Sequence, residues 1–308
     1  MAALIVILIL LALTAALGFG LAAYSMRIKR QSLDESWEWQ EAHYDISWYD
    51  SLQKQDYTVA CDDGYILHAQ RLVNPATSGR FMVISHGYTD NRFGALKYAK
   101  IYLDLGFDVI IYDLRGHGLN DETFCTYSAR ESKDLDALIR DARRRFDVRF
   151  MGLHGESLGA ATTVAVLRYA PAVDFAVADC GFADITDILK AGLKGFHMPG
   201  WLVYPASMCA KIRYGYSYAD MRPVDALAGN DIPIMFIHGA DDGFIPPVHS
   251  ERMAKAARGV RELHLIPGAK HAKSVFIAPD EYRRYVAAFI EKVERAPARD
   301  RLGSDREA

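Results

Sequence analysis

Cysteine is scarce in this 308-residue chain and never closely paired. Cys61, Cys125, Cys180 and Cys209 stand far apart without C-x-x-C spacing, so free buried thiols are expected rather than a disulfide framework. The ten histidines form neither H-E-x-x-H nor a compact His/Cys cluster, and no metal or other cofactor is called for. A basic surface is lacking as well. The formal net charge is −3, and the one dense basic run, "RDARRR" at Arg140 to Arg145, reads as a solvated helix face. Nucleic acid is therefore not an expected partner. No internal repeat is present. With 51% apolar and 24% charged residues, the composition is that of a globular protein long enough to bury a core unaided.

The amino terminus lacks charge altogether. "AALIVILILLALTAALGFGLAAYSM", residues 2–26, is interrupted only by Thr14, Tyr24 and Ser25 among polar residues. At 1.5 Å per residue about 25 helical residues span roughly 37 Å, more than a hydrocarbon core of about 30 Å. No basic residue precedes the run, which favours an uncleaved single-pass anchor in the lipid bilayer over a cleaved signal peptide. Arg27, Lys29 and Arg30 follow at once, and the positive-inside rule then keeps the remainder on the cytoplasmic side of the cell membrane.

Residues 27–55 are polar and aromatic without a clear period and are set apart as a juxtamembrane linker, whose tryptophans sit at the membrane interface or pack on the following domain. "YTVACDDGYILHAQRLV", from Tyr57 to Val73, carries two β-rich runs around Asp62-Asp63-Gly64, a hairpin signal. Thereafter short apolar runs alternate with amphipathic stretches. "RFMVISHG", "FDVIIYDLRG", "VRFMGLHG", "VDFAVADCG", "IPIMFIHG" and "VRELHLIPG" each end in a glycine or polar turn. This alternation predicts an α/β domain over 56–295 with a mostly parallel eight-stranded sheet and helices on both faces. The longest break, 184–225, is rich in aromatics, Gly and Pro and is expected to form a small lid. Residues 296–308 read as a disordered polar tail.

Chemistry-bearing residues cluster where this pattern ends its strands. Gly155-Glu156-Ser157-Leu158-Gly159 falls between a strand and a helix, the context that G-x-S-x-G needs to hold a serine nucleophile on a tight turn. Glu156 is expected to have an outward, structural role. Two later strands are followed by "HGADDGFIP", offering Asp242 with Asp241 as its rival, and by "PGAKHAKS", offering His271. A serine is a weak nucleophile until a base takes its proton; His271 would do so, and the aspartate would orient and stabilise the imidazolium. His86, His117, His154 and His238 are expected to support turns or pack, and His249 and His264 to lie on the surface or in a strand.

At this point the chain resembles the α/β-hydrolase superfamily, in particular its bacterial membrane-anchored members of the serine aminopeptidase-like and esterase-like branch. The resemblance covers residues 57–295 and rests on "ISHGYTDN", "VIIYDLRGHG", "HGESLGAA", "IHGADDGFIP" and "PGAKHAKS" taken together. It implies an α/β-hydrolase fold. It implies Asp242, at the fifth position of H-G-x-x-D, as the triad acid beside Ser157 and His271. It further implies backbone N–H groups of Tyr88 and Leu158 as oxyanion donors, with the Tyr88 side chain expected mainly to pack. Such families often carry serine after R-G-H-G-x, where this chain has Asn120 and Asp121. The expected activity is hydrolysis of a small carboxylic ester through an acyl-enzyme. An aminoacyl or peptide substrate handled by the same triad, and a non-catalytic binding module on the same scaffold, are the alternatives.

Overall fold

A computed structural model describes residues 1–76 and 79–296, so the expected polar tail beyond Ala296 lies outside the described residues. Eight strands form one sheet: β1 (Gln53–Ala60), β2 (Ile66–Val73), β3 (Arg80–Ser85), β4 (Asp108–Tyr112), β5 (Phe150–Glu156), β6 (Phe175–Asp179), β7 (Ile234–Gly239) and β8 (Arg261–Ile266). Their spatial order is β1-β2-β4-β3-β5-β6-β7-β8. The opening pair is an antiparallel hairpin whose turn is completed by Gly64 at φ +82. β2 also runs antiparallel to β4, and every later pairing is parallel. The central strands are buried on both faces, which is why they read as continuous apolar runs.

The helices are α1 (Ala2–Met26), α2 (Leu33–His43), α3 (Trp48–Ser51), α4 (Leu96–Asp104), α5 (Glu131–Arg145), α6 (Leu158–Val166), α7 (Ile185–Gly195), α8 (Val203–Tyr214), α9 (Val248–Ala256), α10 (Ser274–Ile277) and α11 (Pro279–Arg295). Separate apolar cores cover the two faces of the sheet. One gathers Leu135 and Leu138 of α5 with Val164 of α6; the other gathers Tyr98 of α4 with Phe289 of α11. The basic run on α5 is answered by acids: Arg140 meets Asp136 and Asp62, and Arg145 meets Asp141.

Residues 27–55 are seated on the domain and contain the start of β1. α2 opens with a capping box in which Ser32 and Glu35 satisfy each other's backbone N–H groups. Trp37 packs against Tyr49 and Phe93 with ring centroids 5.2 and 5.3 Å apart. α1 is long and apolar enough to cross a membrane by length and composition. Its last third is fixed to the domain: Gly18, Ala22 and Met26, spaced by four, are buried, and the Cys125 N–H donates to the Met26 carbonyl at 2.9 Å.

Candidate active site

Ser157 sits between β5 and α6 with φ +55 and ψ −111, a conformation that L-residues avoid. Its flanking glycines are required by closeness rather than by their own dihedrals. A β-carbon at Gly155 would stand 2.1 Å from the Gly159 carbonyl oxygen, and one at Gly159 would stand 2.1 Å from that of Ser85. The turn is fixed further by the Ser157 N–H, which donates to the Asp179 carbonyl at the end of β6 at 2.9 Å.

Asp242 follows β7 and His271 follows β8, and the fold brings both to this serine. His271 Nε2 lies 3.0 Å from Ser157 Oγ, while its Nδ1 lies 2.7 Å from Asp242 Oδ2. The Phe244 ring meets the imidazole edge-on, with centroids 5.0 Å apart. Asp242 is buried, and its Oδ1 accepts the N–H groups of Phe244 and Ile245, both at 2.9 Å. Burial opposes its ionisation, but hydrogen bonds from His238 and His271, the His271 charge and the Ile245 N–H outweigh it and hold the carboxyl well below its usual value. The rival Asp241 is exposed and donates its N–H to Ala269.

Tyr88, just past β3, and Leu158, first residue of α6, line the same cavity as Ser157. Leu158 N–H is one of the donors that a helix start leaves without an intrahelical acceptor. The Tyr88 hydroxyl is engaged elsewhere, donating to the Arg27 carbonyl. Asn120 occupies the departure from the family pattern. It is buried, donates from Nδ2 to the Asp113 and Leu114 carbonyls, and accepts the His68 N–H on Oδ1, so it clamps the loop after β4.

Two side-chain expectations require correction. Glu156 does not face outward: it is buried, ion-paired with the equally buried Lys97 and bonded by the Tyr98 hydroxyl at 2.6 Å. The chain alternates in and out along β5, and the strand's burial on both faces leaves Glu156 no route to solvent. His249 is not on the surface either; it is buried in α9, and its Nδ1 accepts the Ala183 N–H at 3.2 Å. His264 lies in β8, stacked on Tyr285 at 3.7 Å. His86 accepts the Leu114 N–H and His154 bonds the Tyr102 hydroxyl, both as buried supports. Burial depresses these two imidazoles to about 4 and about 3, and His117 to about 4.

Three features were invisible in the linear sequence. Beneath Ser157 lies a buried array in which Tyr98 and Tyr282 donate to Asp179 at 3.1 and 3.0 Å; burial and the Glu156 charge raise that carboxyl to about 6. His238 approaches Asp242, with Nε2 at 3.3 Å from Oδ2. The third is the cavity itself, about 1320 Å³, which runs from Ser157 between α7, α8 and the end of α1. Gly18 and Ala22, small residues one turn apart, are the only hint in the sequence that α1 docks closely.

A model of the alpha/beta hydrolase family matches residues 82–285. The uncharacterized protein YqkD of Bacillus subtilis is 30% identical over 250 residues, covering 80% of this chain and 82% of that one. The 2-(acetamidomethylene)succinate hydrolase of Mesorhizobium japonicum is 30% identical over 234 residues, 71% of this chain and 77% of that one. Among solved structures, the Pyrococcus furiosus esterase Pf2001 superposes with a TM-score of 0.67 at 19% identity, covering 86% of this chain and 98% of that chain.

Proposed function

The chain belongs to the alpha/beta hydrolase family, and from that premise we propose that it is a membrane-anchored serine hydrolase of carboxylic esters. The observation that carries the reading is the continuous relay from Ser157 Oγ through the two ring nitrogens of His271 to Asp242. Ser157 attacks the ester carbonyl carbon as His271 Nε2 takes the hydroxyl proton. Asp242 holds Nδ1 protonated and stabilises the imidazolium without taking the proton. The carbonyl oxygen becomes an oxyanion, received by the Tyr88 and Leu158 N–H groups; each such donor commonly lowers the barrier by about 3 kcal/mol. Collapse breaks the ester C–O bond, and the imidazolium gives its proton to the departing alkoxide. Water then repeats the sequence on the acyl-enzyme and releases the acid.

The cavity favours an ester with an apolar acyl group over an aminoacyl substrate. Its walls include Phe182, Ile188, Leu189, Leu193 and Val203, and Glu122 is the one carboxylate among the lining residues. Glu122 is largely exposed and paired with Arg30, so among the described lining residues no buried carboxylate stands to receive an α-ammonium group. α1 supplies the membrane anchor, and its basic flank favours a cytoplasmic domain. A fluorophosphonate probe tests the reading. Labelling of the unsubstituted protein and none of Ser157→Ala is expected; equal labelling of both, or of neither, overturns it.

A further inference from the structure

α1 is more than a tether, because its end forms part of the cavity wall. Leu21, Tyr24, Ser25 and Met26 line the same space as Ser157, together with Val203 and Ala206 of α8. The contact is tight: a β-carbon on Gly18 would meet Cys209 Sγ at 2.8 Å and the Pro205 carbonyl oxygen at 3.1 Å. Ser25 and Tyr218 share a hydrogen bond at 2.6 Å, and the Tyr127 hydroxyl donates to the Ser25 carbonyl.

The apolar run of α1 carries this junction toward the bilayer. Ala2 to Leu13 are exposed throughout, and these twelve residues rise only about 18 Å. The helix continues unbroken from them into the part docked on α8, so a hydrocarbon core of about 30 Å that holds these twelve residues and roughly eight more reaches the junction. α8 is dressed for the same medium. Tyr204, Met208 and Ile212, spaced by four, are 61%, 62% and 69% exposed, and Trp201 and Phe196 nearby are 57% and 66% exposed. The cavity is therefore walled by elements immersed at the bilayer edge.

Its rim carries a charge bias opposite to that of the whole chain. Arg27, Lys29, Arg30 and Arg213 line it against the single acid Glu122. Glu122 pairs with Arg30, whereas Arg27, Lys29 and Arg213 have no ion pair among the described residues. These three cations lie where the anchor leaves the hydrocarbon and where lipid headgroups stand.

We propose that the cavity beside the α1–α8 contact takes an anionic, long-chain acyl ester directly from the bilayer, its ester carbonyl at Ser157, its acyl chain along the apolar walls and its headgroup against Arg27, Lys29 and Arg213. This rests on the serine-hydrolase reading above. The volume exceeds the roughly 300–1,000 Å³ of ordinary small-molecule pockets, as a long chain requires. The reaction is the ester hydrolysis already described, yielding a fatty acid and the headgroup alcohol.

The experiment uses the full chain in vesicles, with palmitoyl-glycerophosphoglycerol, palmitoyl-glycerophosphocholine and butyryl-glycerophosphoglycerol as probes. Fluorophosphonate labelling and para-nitrophenyl butyrate turnover are recorded on the same preparation. The expected kcat/KM is about tenfold higher for the anionic than the choline palmitoyl probe, and higher for palmitoyl than butyryl on the phosphoglycerol headgroup. In the combined Arg27→Gln, Lys29→Gln, Arg213→Gln variant the headgroup ratio should fall toward one. In Ala206→Trp, which fills the cavity, the chain-length ratio should fall. Intact labelling and butyrate turnover with either ratio near one in the unsubstituted protein, or unmoved by its variant, overturns the inference and leaves the hydrolase reading standing. Loss of labelling and of butyrate turnover in the unsubstituted protein overturns both.

Discussion

His238 Nε2 lies 3.3 Å from Asp242 Oδ2, the oxygen that also accepts His271 Nδ1 at 2.7 Å. The same Nε2 is 2.7 Å from the Ile245 carbonyl, and Nδ1 is 2.7 Å from Ser250 Oγ, so the ring is clamped at both nitrogens. With Nε2 as donor, His238 holds Asp242 ionised and in place as a positioning residue. His238→Ala should lower kcat by about tenfold and raise the Asp242 pKa. The acid limb of the pH–rate profile should then steepen, and His238→Gln, which retains a donor, should recover part of the rate. A purely structural His238 would leave the profile's shape unchanged.

Ser157 sustains a backbone conformation, φ +55 and ψ −111, that glycine adopts without penalty. Ser157→Gly should abolish turnover yet stabilise the fold by about 1 kcal/mol, a typical release of such strain. Ser157→Ala should be equally inactive without the gain, since alanine keeps the β-carbon. Thermal unfolding of the two variants side by side distinguishes strain from the loss of a hydroxyl.

Gly159→Ala asks the opposite question. Its β-carbon would fall 2.1 Å from the Ser85 carbonyl oxygen and 2.6 Å from that of His86, both backbone atoms of β3 and its turn. Neither can retreat without disturbing the end of β3, a strand paired on both sides, and the turn after it that carries Tyr88. A loss of about 3 kcal/mol or more is expected by denaturant titration, against little change for Gly192→Ala on α7, where nothing stands within 4 Å.

These cases mark what a linear sequence discloses. The eight strands and the order serine, aspartate, histidine were legible because period and punctuation are local properties of the chain. Glu156 and His249 were misplaced because burial is decided by partners distant in sequence: Lys97 lies 59 positions before Glu156, and Ala183 lies 66 before His249. The cavity wall at Leu21 to Met26 was illegible for a related reason. Tyr24 and Ser25 are the polar residues of that stretch, and two adjacent positions in a run long enough to span a bilayer do not define a helix face that meets the protein.

Acid should destabilise the fold before the carboxylates titrate. His86, His117 and His154 are held neutral by burial at about 4, 4 and 3, whereas unfolded histidines protonate near 6.5. Their folded values lie below the unfolded one, so their neutral burial costs nothing above that pH. As pH falls from about 6.5 toward 4 the unfolded state binds more protons, and each imidazole removes about 1.4 kcal/mol of stability per pH unit. Asp179, raised to about 6, acts in the opposite sense over the same range and offsets part of this. Denaturant midpoints at pH 7, 6 and 5 should fall, with net proton uptake on unfolding; a flat profile would contradict the buried neutral assignment.

The docking of α1 on α8 can be trapped covalently. A β-carbon on Gly18 stands 2.8 Å from Cys209 Sγ, close to the separation of about 3 Å that a disulfide imposes between one β-carbon and the far sulfur. Gly18→Cys should therefore form a bridge to the native Cys209 in membranes treated with a mild oxidant. Gly20→Cys, whose β-carbon meets nothing within 4 Å, should not. Peptide mass mapping of the oxidised and reduced protein reads the outcome directly. Because all four cysteines are free and buried, background pairing should be low. If Gly18→Cys and Gly20→Cys cross-linked equally, or neither did, α1 would have to move independently of the catalytic domain and could not serve as a fixed wall of its cavity.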